Sequence, residues 1–167
     1  AANMELIKGK GQIGVAFHVT GLLNMDVEVS TPGRFSVYNA LTAVAVCRHF
    51  AVPVKRIQEA LRNAHVKGRI EMVKVSDKFS LMIDYAHNAM SLESLLTTLK
   101  EYQPNRLICL FGCGGNRSRA RRFEMGKVSG TLADLTIITS DNPRYEEPMD
   151  IIADIRSAVE ETGGAYV

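Results

Sequence analysis

The period of the apolar residues changes along this chain, and each change marks a different kind of element. Between residues 5 and 32 short apolar runs alternate with polar residues, as in Val15, Phe17 and Val19 and again in Val27 and Val29. A period of two predicts hairpin-like strands, and Pro32-Gly33 ends them. Residues 36–50 are rich in Ala and Val and contain neither Gly nor Pro, which predicts a buried helix. A second helix is expected after Pro53, where Ile57, Ala60, Leu61 and Ala64 stand at i, i+3, i+4 and i+7.

After Gly68 the chain reads as repeated strand, loop and helix. Apolar strands are predicted at 81–83, 107–111 and 135–139. Between them lie a helix with Leu92, Leu95, Leu96 and Leu99 on one face, stopped before Pro104, and a second helix reaching about residue 132. A last helix opens at Pro148, carries Ile151, Ile152, Ile155 and Val159, and ends at Gly163-Gly164. Nearly continuous apolar strands separated by helices predict an α/β domain with a mostly parallel sheet covered on both faces. Ligands of such sheets bind beyond the carboxyl ends of the strands. Asp84, the loop at Gly112 and the loop at Asp141 all stand at those ends and are expected to converge.

Composition narrows the class. With 46% hydrophobic and 23% charged residues in 167, the chain is globular and holds one domain or one domain plus a piece of another. A formal net charge of +2 gives no general attraction to nucleic acid or membranes, so neither is expected as a partner. Cys47, Cys109 and Cys113 form no CxxC pair and are odd in number, which predicts free thiols in a reducing, cytoplasmic setting. No apolar run approaches the roughly 18 residues of a membrane span. Ala1-Ala2-Asn3 and the strand-like Ala165-Tyr166-Val167 read as cut ends of a longer chain.

The candidate chemistry is binding chemistry. Gly112-Cys113-Gly114-Gly115-Asn116-Arg117 follows a strand and precedes a helix, where backbone N–H groups can cradle an anion. It lacks the third Gly of GxGxxG and the GK[ST] of a P-loop, and a tight turn needing glycine freedom explains it equally well. In the basic run Arg117, Arg119, Arg121 and Arg122, helical geometry would put 117 and 121 on one face and turn 119 and 122 away. Arg117 is the best ligand candidate, since a guanidinium grips carboxylate or phosphate through two parallel bonds; a solvated face is the alternative. Asp141-Asn142-Pro143-Arg144 combines a fixed turn with groups that suit a zwitterionic amino acid, or is an Asx-turn with a surface Arg. Asp84 could accept hydrogen bonds from ribose hydroxyls, and His87 could touch a phosphate or cap the helix that follows. The four His show no metal-ligand spacing, and neither a nucleophile with its base nor a catalytic pair of carboxylates is evident, so catalytic and metal sites are expected to be absent.

Taken together, Gly33-Arg34-Phe35-Ser36-Val37-Tyr38-Asn39, Gly68-Arg69-Ile70-Glu71, Asp84-Tyr85-Ala86-His87, Phe111 to Arg117 and Asp141 to Arg144 resemble, in order and spacing, successive motifs of the Mur ligases. They are most similar to members that add the third residue to UDP-MurNAc-L-Ala-D-Glu. The resemblance implies that residues 1–67 are the tail of a central ATPase domain and 68–167 most of a Rossmann-like C-terminal domain. It implies ATP and Mg as requirements of the full-length enzyme, whose P-loop, magnesium-ligating acid and carbamylated lysine would lie upstream of Ala1. A further amino-acid contact would lie downstream of Val167.

By position, the resemblance places Asn39 at the adenine, Arg69 and His87 at the nucleotide and Asp84 at the ribose. It places Arg117, Asp141, Asn142 and Arg144 at the incoming amino acid, and the DNPR form resembles ligases that select meso-diaminopimelate over lysine. The partners implied are ATP, the UDP-MurNAc-dipeptide and the amino acid. The fragment alone is expected to be inactive. Departures occur at Ser36, at Asn88-Ala89 after His87, and at Ser118, Arg121 and Phe123. They leave room for a divergent relative, either a ligase for another amino acid or a binding module without catalysis.

Overall fold

A computed structural model describes residues 1–9, 12–21 and 23–167. The chain divides into two compact units, Ala1–Tyr85 and Ala86–Val167.

In the first unit the period-two pattern forms an antiparallel meander of β1 (Ala2–Gly9), β2 (Gln12–Val19) and β3 (Met25–Val29). The register Val15↔Val29, Phe17↔Val27 and Val19↔Met25 puts all six of these side chains on one face, each buried, while Asp26 and Glu28 point to water. This alternation pins the register, because a slip of one residue would exchange the faces. Helices α1 (Arg34–His49) and α2 (Val54–Arg62) cover that face with Val37, Ala40, Val44 and Ile57. Burying each such aliphatic side chain contributes about 1.5–3 kcal/mol. Gln58 Nε2 donates to the Asp26 carbonyl at 2.7 Å and Arg62 Nε to Glu28 at 3.0 Å, tying α2 to β3. Expected hairpin strands and both helices are therefore present, but α1 buries one face only, with Tyr38 71% and Val46 53% exposed, and α2 ends at Arg62, before Ala64; residues 10, 11 and 22 of the predicted strand region lie outside the described residues.

The entry to α1 explains one departure. Ser36 is buried and its hydroxyl donates to the Pro32 carbonyl at 2.7 Å, so it holds the first turn together. The rest of the unit is a two-stranded antiparallel ribbon of β4 (Glu71–Val73) and β5 (Leu81–Ile83), paired Glu71↔Ile83 to Val73↔Leu81. Thus 81–83 is a strand as predicted, but its hydrogen-bonded neighbour is β4, antiparallel. Nothing in a three-residue apolar run distinguishes the two pairings.

In the second unit α3 (Ala89–Glu101), β6 (Ile108–Phe111), α4 (Ala120–Leu132), β7 (Leu135–Ile138) and α5 (Pro148–Glu161) alternate. β6 and β7 are parallel from Ile108↔Leu135 to Phe111↔Ile138, and a parallel bridge Thr136↔Tyr166 begins a further strand beside β7. Leu92, Leu96, Cys109, Met125, Ile151, Ile155 and Val159 form the core. The helices α4 and α5 meet closely because Gly126 has no side chain; a Cβ there would stand 2.7 Å from the Ile155 carbonyl oxygen and 2.8 Å from Ala158 Cβ. Contrary to the expectation of two covered faces, Ile108 is 48% and Leu110 64% exposed. β6 therefore alternates between the core and an uncovered side, instead of being buried on both.

Candidate functional site

In the second unit the loops after β6 and β7 lie against each other at the carboxyl end of the parallel pair. Thr139 N donates to Phe111 O at 3.1 Å, carrying the ladder just past the strands. Beyond it, Gly115 N donates to Asn142 O at 2.9 Å, Tyr145 N to Asn116 Oδ1 at 3.1 Å, and Asn116 N to Glu146 Oε1. Three bonds thus join the Gly112 loop to the Asp141 loop. Such close approach requires glycine. A Cβ on Gly112 would overlap the Thr139 carbonyl oxygen, and one on Gly115 the Pro143 carbonyl. The left-handed residue of this turn is not a glycine but Asn116, with φ 51°. Glycine's backbone freedom, one of the two explanations open from sequence for this loop, gives way to its lack of a side chain.

The Asp141–Arg144 turn is an Asx-turn: Arg144, at φ 54°, donates its N–H to Asn142 Oδ1 at 3.1 Å, and Glu146 N donates to Pro143 O at 3.0 Å. Asp141, Asn142, Arg144 and Arg117 are all exposed on the two joined loops. Together they offer acceptors for an ammonium and guanidinium groups for carboxylates.

Beneath the loops runs a row of alternating charges. Arg122, only 3% exposed, donates to Glu146 Oε2 at 2.7 Å and to Asp154 Oδ2 at 3.0 Å. Arg119 donates to both Asp154 oxygens at 2.8 and 2.7 Å. The Arg119 bond, then Arg122, holds the Asp154 carboxyl below its ordinary value against the opposing effect of burial. Glu146 is lowered by Arg122 and by the Asn116 N–H. Burial pushes the Cys113 thiol up, with Arg122 and Arg121 pulling it the other way. Arg119, Arg122, Glu146 and Asp154 were not singled out from sequence as ligands of one another. A visible signal did exist: Asp154 interrupts the apolar stripe Ile151, Ile155, Ala158 of α5, where a carboxylate needs a buried cation. The helical pairing expected for 117 and 121 does not arise, since α4 starts at Ala120 and Arg117 precedes it.

His87 is exposed and does not cap α3. Asn88 does so, accepting from Ser91 N at 2.9 Å while Ser91 Oγ accepts from Asn88 N, a reciprocal capping box that accounts for Asn at this position. In the first unit Asn39 is exposed on α1. Arg69 is exposed, its guanidinium carbon 4.4 Å from the Tyr85 ring centroid. Asp84, half-buried at the end of β5, accepts from Ile70 N at 3.0 Å. Among the described residues, no three or more of His, Cys, Asp and Glu gather as metal ligands would. No described helix is long and apolar enough to cross a membrane.

The second unit is thus a parallel α/β unit whose strand-end loops carry exposed guanidinium and carboxylate groups. Residues 68–166 match the family model for the Mur ligase, glutamate ligase domain, and the chain belongs to the Mur ligase family. It is 43% identical over 142 residues to the UDP-N-acetylmuramoyl-L-alanyl-D-glutamate--2,6-diaminopimelate ligase of Caldanaerobacter subterraneus subsp. tengcongensis, covering 85% of this chain and 30% of that protein. The Clostridium perfringens protein of the same name is 42% identical over 132 residues, covering 78% and 27%. The chain therefore spans about 30% of the length of the curated relatives it matches. A solved diaminopimelate ligase of that name superposes with a TM-score of 0.62 at 28% identity, covering 97% of this chain and 33% of that one. Folylpolyglutamate synthase from Thermotoga maritima, at 21% identity, shares the fold with a TM-score of 0.71, covering 98% and 42%.

Proposed function

We propose that this chain is the amino-acid-binding part of an ATP-dependent, cytoplasmic ligase that adds meso-diaminopimelate to UDP-MurNAc-L-Ala-D-Glu in peptidoglycan synthesis. The observation that carries the reading is the docking of the Asp141–Arg144 turn onto the Gly112 loop, which gathers Asp141, Asn142, Arg144 and Arg117 on one rim. The names of the relatives at about 40% identity support the same substrate. Residues 1–67 would close the central ATPase domain and 68–167 form most of the C-terminal one.

In the reaction, the γ-phosphoryl group of ATP moves to a D-Glu carboxylate oxygen, leaving ADP. The lone pair of the incoming amine attacks the acyl carbon, the amine loses a proton and phosphate departs with the C–O bond electrons. Nothing in this chain has to act as a nucleophile. Asn39, Arg69, Asp84 and His87 would hold the nucleotide; Arg117, Asp141, Asn142 and Arg144 would hold the amino acid with its amine free to attack. Positioning and electrostatic clamping supply the rate enhancement from this side of the site. The magnesium ligands would belong to upstream residues.

The test is a coupled assay of ADP release by the full-length ligase. Release should depend on both UDP-MurNAc-L-Ala-D-Glu and meso-diaminopimelate, and lysine should be a poor replacement. Equal turnover with lysine, or product formation by the 167-residue chain alone, would overturn the reading.

A further inference from the structure

Glu146 stands two residues beyond Arg144, and its carboxylate reaches across to the Gly112 loop and down to a buried cation. One oxygen accepts from Asn116 N, the residue just before Arg117; the other accepts from the buried Arg122 at 2.7 Å. Asn116 beside the rim, at φ 51°, and Arg144 on it, at φ 54°, both adopt a left-handed backbone, which Asn takes readily and Arg seldom does. A single carboxylate therefore ties the backbone beside one rim guanidinium to the segment carrying the other. Its anchor is held on a second side as well, because Arg122 also donates to Asp154 at 3.0 Å. The row Arg119, Asp154, Arg122, Glu146 alternates in sign, so each ion has an opposite partner where burial makes an unpaired one unfavourable.

We propose that Glu146 is a positioning residue of the amino-acid site, setting the separation of Arg117 and Arg144 without touching the substrate. This rests on the reading of those residues as amino-acid ligands. A carboxylate is needed: the amide of Gln can accept from Asn116 N but turns a donor toward Arg122.

The experiment compares Glu146→Gln with Arg119→Gln in the full-length ligase, using whichever amino acid the wild type joins. Glu146→Gln should raise KM for the amino acid about tenfold with KM for ATP within about twofold, because loose positioning weakens one substrate only. Arg119→Gln, which cuts the row at its far exposed end, should lower Tm while leaving both KM values in place. Loss of thermal stability by Glu146→Gln with no change in KM, or an equal rise for both substrates, would reduce Glu146 to a structural tie and overturn the proposal. If the wild type prefers an amino acid other than meso-diaminopimelate, the substrate assignment falls while the same KM comparison still decides the role of Glu146. Independently of turnover, amide hydrogen exchange on the 167-residue chain should show Asn116 N–H protection lost in Glu146→Gln; unchanged protection overturns the tie itself.

Discussion

A methyl group added at Gly115 would meet the Pro143 carbonyl, so the two loops cannot stay docked around it. Gly115→Ala is expected to destabilise the second unit by about 1–3 kcal/mol, as overpacking does, and to weaken use of the amino acid more than of ATP. Denaturant unfolding and KM for each substrate check this. The sequence marked the position only as part of a Gly-rich loop, since nothing within 112–117 tells which carbonyl 28 residues later will press on it. In the first unit, Arg69→Ala should remove a charge-assisted hydrogen bond of about 1.5–3 kcal/mol to the nucleotide and raise KM for ATP without unfolding the chain. An unchanged KM would take Arg69 out of the nucleotide site. Asp84 is better tested as Asp84→Asn, because its carboxylate also accepts from Ile70 N and Asn keeps an acceptor there. The motif reading could assign Asp84 a ribose; it could not reveal this second, backbone-holding task, which depends on the turn around Ile70 at φ 49°.

Among the elements, α4 and α5 are held by packing at Gly126 and by the Asp154 ion pairs. The folded Asp154 carboxyl lies below its ordinary value, so its contribution to stability is fully present above the unfolded value of about 4 and is lost as pH falls through the lower folded value. Asp154→Asn should therefore lower stability at neutral pH and flatten the acid limb of the stability curve. Urea unfolding between about pH 2 and 7 reads both effects, and an acid limb as steep as that of the wild type would deny Asp154 this part. The helices themselves were legible from periodicity: Leu92 and Leu96, then Ile151, Ile155 and Val159, are buried where the pattern put them. Strand partners were less so. Residues 81–83 carry no signal that chooses an antiparallel β4 over a parallel neighbour, and the exposed Ile108 and Leu110 read like core residues in sequence.

For the whole molecule, the five motifs were readable because each depends on a few residues at fixed spacing, and the family match over 68–166 spans the last four of them. The ionic row was not, since it joins residues 119, 122, 146 and 154 through tertiary geometry that no short motif records. The central proposal, that the docked Asp141–Arg144 turn selects an amino acid with a distal carboxylate, is tested most directly by the ratio of kcat/KM for meso-diaminopimelate to that for lysine, in the full-length ligase and in Arg144→Ala. Loss of one bidentate contact should lower kcat/KM for meso-diaminopimelate about 10- to 100-fold, leave lysine and ATP little changed and so shrink the ratio by the same factor. Arg144→Lys should restore only part, because an ammonium keeps the charge but not the planar fork. An equal loss for both amino acids, or none for either, would contradict the assignment of Arg144 to the distal carboxylate.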